Sequence, residues 1–146
     1  MNRQTGFTLI EVLVALIVLS VGLLGVAALQ ANALKTNHSA LQRSQAVMLA
    51  YFMLDAMRAN RQAALNGDYD LGSTANPVCT SPSGSTLVTH DQAAWINALK
   101  QNLGNVSTTC GMIDCDNTGD CTVQIQWDDS RAGGLSTQMI EVRSRL

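Results

Sequence analysis

Three groups of residues in this chain carry side chains able to do chemistry. The first is Glu11, a carboxylate at the start of an apolar run, with Gly6 and Phe7 shortly before it. The second is four cysteines, Cys79, Cys110, Cys115 and Cys121, with the acidic stretch Asp114–Asp120 among them. The third is a pair of histidines, His38 and His90. Glu11 is the most unusual of these. From Val12 to Leu29 the sequence reads VLVALIVLSVGLLGVAAL, eighteen residues broken only by Ser20, Gly22 and Gly25. A carboxylate inside a lipid-spanning helix costs about 2.5–3.5 kcal/mol or more, so it calls for a partner. The first two basic residues are Arg3 and Lys35, and neither is placed to supply one. A protonated Glu11 snorkelling to the interface would bear the cost. The better explanation is a positive group on a neighbouring chain at the same membrane depth. An N-terminal amine created by cleavage just before Phe7 would be such a group.

The other groups offer less. An even number of cysteines in a small exported domain reads as disulfides. Four cysteines allow three pairings; Cys115–Cys121 with Cys79–Cys110 is favoured, because the first closes a compact Asn/Gly loop. A zinc site is the rival, but there is no C-x-x-C pair and the histidines lie far off in sequence. Asp114-Cys115-Asp116-Asn117-Thr118-Gly119-Asp120 starts like a calcium-binding loop, yet Ile125 stands where a bidentate Glu is needed. An ordinary acidic turn is expected there. Neither histidine has a Ser or Cys beside it in a nucleophile setting, and there is no Gly-rich phosphate loop. The sequence gives no sign of an enzyme, a metal or a cofactor.

These residues must be held by elements, and charge marks where the elements change. The chain has 146 residues, 47% hydrophobic and only 14% charged, against about 25% charged in an ordinary soluble domain. The deficit is local: residues 4–34 hold one charged residue, Glu11, and residues 35–146 hold eighteen of the twenty. A net charge of −2 gives no basic track for nucleic acid, so no direct nucleic-acid binding is expected. The apolar stretch, extended back to Phe7, is long enough to cross about 30 Å of hydrocarbon at 1.5 Å per residue. It has no polar face, which argues against a buried core helix. A cleaved secretory signal is the other rival; the run exceeds a usual h-region, although its end, Ala27 to Ala33, imitates a cleavage site. Arg3 before the span places the N-terminus in the cytoplasm and everything after about Gln30 outside.

From Ala31 to about Ala64 there is no Gly or Pro, and the helix is expected to continue, stopping near Asn66-Gly67. Leu34, Leu41, Met48 and Phe52, joined by Val47, Tyr51 and Leu54, make an apolar stripe that reads as packing rather than a cofactor site. Asp68–Gly84 reads as loop. Thr89-His90-Asp91-Gln92 reads as a capping box opening a short helix that ends at Gly104, with Trp95 packing beneath it. The runs Val123–Trp127 and Ile140–Arg143 alternate as half-buried strands joined by a turn over Asp128–Leu135. The fold class is α+β, a long N-terminal helix packed on a small antiparallel sheet.

Gly6-Phe7-Thr8-Leu9-Ile10-Glu11 followed by an apolar run resembles the type IV prepilin signature. In that family a membrane-embedded peptidase cuts after the glycine and N-methylates the new first residue. The resemblance implies that residues 1–6 are a cleaved leader and that Phe7 becomes the methylated terminus. It also implies that Glu11 pairs with the terminal amine of an adjacent subunit. The stretches Leu9–Leu16, Leu19–Gly25 and Leu29-Gln30 are similar to PilV-type minor pilins, as is Met57–Asn60 ending the long helix, covering roughly the first 60 residues. One departure is Ala28, where many major pilins carry a proline. The family often places a disulfide around its last strand, whereas three cysteines here precede the expected strand pair.

The implied organisation is leader 1–6, transmembrane assembly segment 7–30, periplasmic helix 31–65 and α+β head 66–146. The implied role is a minor pilin of a type IV pilus, supporting assembly initiation, and adhesion or display of a tip adhesin. A minor pseudopilin of a type II secretion system is the alternative. Implied partners are other pilins, the prepilin peptidase/methyltransferase, an inner-membrane assembly platform and a tip adhesin. The implied place is the bacterial inner membrane, single-pass with the head periplasmic, and then the pilus on the cell surface.

Overall fold

The computed structural model describes residues 6–146. Of the leader read above, residues 1–5, including Arg3, lie outside the described residues. The chain starts with α1, a 51-residue helix over Leu9–Ala59, preceded by Thr8 as N-cap. It passes through Ala28 as regular helix. Within it, the hydroxyls of Ser20, Thr36 and Ser44 bond back to the carbonyls of Leu16, Asn32 and Ala40. Such i−4 bonding satisfies a polar side chain without leaving the helix.

The expected helix end needs correcting. α1 stops at Ala59, Asn60 leaves helical geometry (φ −122°, ψ 52°), and a separate five-residue α2 follows over Arg61–Leu65. The Asn66-Gly67 stop is real, but it ends α2. Gly67 has φ +79°, a left-handed geometry that glycine adopts at little cost. Beyond an irregular stretch comes α3, over Leu87–Leu103. Its N-cap is Thr86, one turn earlier than read from the sequence. Thr86 accepts from the Thr89 backbone N–H at 3.2 Å, while the Thr89 hydroxyl accepts from the Thr86 N–H at 3.1 Å. Thr89 is thus the inner partner of the box, and His90 lies within the helix, exposed.

The sheet has three antiparallel strands in the order β1-β2-β3: β1 Cys110–Cys115, β2 Asp120–Trp127 and β3 Gln138–Arg145. β2 and β3 contain the expected runs. β1 was read as no element, because Cys-Gly-Met-Ile-Asp-Cys has no polar–apolar alternation; five of its six residues are buried. The loop 68–84 lies along β1's outer edge, with isolated bridges Leu71↔Ile113 and Val78↔Gly111. That placement covers an edge otherwise open to foreign strands.

The core lies between the outer part of α1, α3 and the sheet. Ala46, Ala50, Met53, Leu54 and Met57 of α1 meet Trp95, Ile96 and Leu99 of α3 and Ile113, Val123, Ile125 and Trp127 of the sheet. Trp95 is fully buried, its indole N–H donating to the Leu49 carbonyl at 2.9 Å. Gly111 makes that position possible: a Cβ there would stand 2.4 Å from the Trp95 ring. Cys79 is bonded to Cys110, and Cys115 to its cross-strand neighbour Cys121. The first bond fastens the 68–84 loop to the start of β1, and the second closes the β1–β2 hairpin.

The apolar stripe read from the sequence faces away from this core. Leu34 is 70% exposed, Leu41 54%, Met48 62% and Phe52 52%; only Leu54 of that set is buried. The head instead sits on the side of Gln42, Ala46, Ala50 and Met53. Residues at 42, 46, 50 and 53 share one face at 3.6 residues per turn, and the larger stripe falls on the other. Ala46 and Ala50 allow α3 and the sheet to approach the helix closely, and Met53, Leu54 and Met57 fill the core beyond them, while Met48 and Phe52 remain outside.

Candidate functional site: an apolar helix with one carboxylate

Every residue from Gly6 to His38 is exposed. This includes Phe7 at 82%, Leu9 at 89% and Leu24 at 71%. Among the described residues α1 is the one helix long and apolar enough to cross a membrane. Such a surface has no cover from its own chain, and apolar area left in water costs roughly 25 cal/mol per Å². The helix therefore requires lipid or other helices around it.

Glu11 lies in the first turn, where the helix dipole favours a negative charge. Thr8 and Glu11 hold the N-cap and third positions of a capping-box sequence, T-x-x-E. The box is not formed, because Thr8 makes no side-chain cap bond. The ion pairs among the described residues are Arg58–Asp55 and Arg143–Glu141, both far along the chain. The Glu11 carboxylate is thus left for a group outside the described chain. It shares one face of the helix with Ala15 and Leu19, which together with Phe7 just before the helix line a shallow apolar groove. Gly6 and Phe7 precede the helix in non-helical backbone.

The remaining chemical groups are engaged structurally. The Asp116 carboxylate accepts from the Thr118 hydroxyl at 2.7 Å and from the Thr118 and Asp120 N–H groups at 2.9 Å. Those bonds, led by the Thr118 hydroxyl, hold its carboxyl below the usual carboxylate range. Asp70 accepts from the Cys115 N–H at 2.9 Å, yet burial, with Asp114 adding, raises its carboxyl. His38 and His90 stand exposed on separate helices.

Two features had no sequence signal. One is the tie between stalk and head, where the Ser39 hydroxyl donates to Asp129 at 2.6 Å across ninety residues of chain. Asp129 is 3% exposed, and a Cβ on Gly134 would overlap its carboxylate. The other is the division of the outer helix into a covered small-residue face and an open large-residue face. Ala46 and Ala50 alternate with Met48 and Phe52 there, a pattern that does not by itself say which face is covered.

A protein whose one bare helix is apolar for its first twenty-odd residues, with a lone acid near its start and a small α+β head on its outer half, has a pilin-like architecture. Residues 1–27 match the family model of the prokaryotic N-terminal methylation motif, and residues 28–87 match that of type IV pilin Tt1218. The chain thus carries the prepilin N-terminal methylation motif and a type IV pilin family domain, which support a pilin or pseudopilin, and that family is a structural one. The second match ends at Leu87, the first residue of α3, so the rest of that helix and the sheet lie beyond both. No curated protein and no solved structure gives a match.

Proposed function

We propose that the chain is a PilV-type minor pilin, inserted in the inner membrane and then built into a type IV pilus. The observation that carries this reading is the unspent Glu11 carboxylate on a helix exposed along its whole apolar length. In this reading the chain is cut between Gly6 and Phe7, and Phe7 is N-methylated. Its new amine lies at the depth of the Glu11 of a neighbour displaced along the axis by about 6 Å, four residues of helix. A charge pair in a dry bundle fixes axial register, because leaving either partner alone costs about 3–5 kcal/mol. The span 7–30 serves first as a membrane anchor with the head in the periplasm, and then as the packing core of the fibre. The helix over 31–65 and the head 66–146 supply contacts specific to this subunit, supporting initiation of assembly and display of an adhesin at the tip. The chain has no catalytic role here; the partners are other pilins, the prepilin peptidase and the assembly platform.

Intact mass of the membrane-extracted protein tests processing. A mass beginning at methylated Phe7 is expected; retention of residues 1–6 in a strain with active peptidase would overturn the reading. Deletion of the gene, scored for pilus number and separately for type II secretion, distinguishes a pilin from a pseudopilin.

A further inference from the structure

The charged residues of the head are sorted along its long axis. The Ser39–Asp129 bond at 2.6 Å and the Gln42 bond to the Leu103 carbonyl at 3.3 Å set the 3-10 turn Ser130–Ala132 and the end of α3 beside the lower part of α1. Lys35, Arg43, Lys100 and Arg131 belong to this membrane-side end, with Asp128 and Asp129 as its carboxylates. At the other end, Arg58 meets Ser144 at 2.8 Å and Tyr69 meets Asp91 at 2.6 Å. The middle and far end together carry Arg58, Arg61, Arg143 and Arg145 against the remaining eight carboxylates of the head. Four cations face two acids below, and four face eight above.

The two lower acids still offset half of the four cations: the Ser130 hydrogen bonds, with Arg131 adding, hold the Asp128 carboxyl below the usual carboxylate range. Asp129 is buried with one oxygen bound to Ser39, and Asp128 accepts from the Ser130 N–H at 2.9 Å. Lys35, Arg43 and Arg131, by contrast, are exposed. At 1.5 Å per residue, Lys35 stands about 7 Å above Gln30 and the Ser39 level about 13 Å above it. The Lys35 stem can reach back toward the interface, and the screening length at physiological salt is about 8 Å. Lys35 therefore lies within about one screening length of the lipid headgroups and Arg131 within about two, while the acidic far end is repelled from the same surface.

We propose that the membrane-side end of the head is a docking surface for anionic phospholipid headgroups, holding the subunit at a fixed attitude on the bilayer before assembly. The proposal rests on the membrane-anchored reading above. The observation that favours lipid over the acidic far end of another copy is the short helical distance between Gln30 and the cations, which the chain itself fixes.

The test uses the full-length chain in lipid nanodiscs, one chain per disc, with a donor dye carried by a noncanonical residue at exposed position 135 and an acceptor-labelled lipid. Moving from a zwitterionic phosphatidylcholine disc to one with a large phosphatidylglycerol share should raise energy transfer about twofold at low salt. Half-molar salt should reverse the rise, as should Lys35→Gln combined with Arg131→Gln, with an unchanged melting temperature. Equal transfer in both lipids overturns the proposal alone. A rise that requires two chains per disc assigns the surface to a second copy and also overturns it. Failure of the chain to enter discs of either lipid overturns the anchor reading together with the proposal.

Discussion

The two halves of α1 are solved for different surroundings. Residues 9–38 are exposed on every side, and nothing among the described residues covers them. From Gln42 to Met57 one face is buried under α3 and the sheet, and the other keeps Met48, Tyr51 and Phe52 open. The inner half thus depends wholly on partners. The outer half divides the same helix between its own head and whatever the open face meets. Stability of the fold and competence for assembly should then be separable by mutation, even between neighbouring turns.

The strongest break of that separation is Glu11→Gln. Removing one member of a desolvated charge pair costs about 3–5 kcal/mol, so incorporation into fibres should fall at least about tenfold. The thermal unfolding of the head should not move, because Glu11 lies some thirty residues from the nearest core residue. Pilus counts and differential scanning calorimetry on the same variant read both. Normal incorporation would remove the pairing role.

A paired substitution on adjacent turns comes next. Met53 is fully buried and Met48 is 62% exposed. Met53→Ala should lose about 2–5 kcal/mol in denaturant unfolding, whereas Met48→Ala should stay within about 0.5 kcal/mol. If the open face serves assembly, Met48→Ala still lowers incorporation, with stability intact. Equal stability losses at both positions would erase the distinction between the faces. Gly111→Ala is a smaller change in the same core. Its Cβ would stand 2.4 Å from the Trp95 ring, and overpacking of that kind costs about 1–3 kcal/mol, readable as a lower denaturant midpoint with no change in membrane extraction.

How far the sequence could be read follows from how local each signal was. The apolar span and Glu11 stand out because nothing else in residues 4–34 is charged. The strands around Val123 and Ile140 were legible through alternation, since β3 exposes every second residue. β1 was not, because being buried on both faces erases alternation, and its pairing with the 68–84 loop is a long-range fact. The facing of α1 was misjudged for a related reason. A stripe of large apolar residues looks like the covered side, but close packing at Ala46 and Ala50 placed the head opposite to it. The α1 break at Asn60 also had no clear local cue, since arginine and alanine on either side favour helix.

The buried junction below that break gives the smallest effect and the one most specific to the head. Tyr69 is fully buried, and its hydroxyl donates to Asp91 at 2.6 Å. Burial, with the Asp91 hydrogen bond adding, pushes the phenol from 10.0 up to about 12. A group whose folded value is raised contributes stability that is fully present below its ordinary value. That contribution is lost as the pH climbs from 10.0 through about 12. An ultraviolet titration should therefore show a phenolate step near 12 that disappears in Tyr69→Phe. The variant should lose the stability of the Asp91 bond near neutral pH, about 0.5–1.5 kcal/mol, and its alkaline unfolding should be less steep than that of the parent. Identical alkaline slopes would mean that the tyrosine is not linked to folding. The corner where the loop meets α3 would then be held by apolar contact and by the Gln92 side chain, which donates to the Tyr69 carbonyl at 3.0 Å.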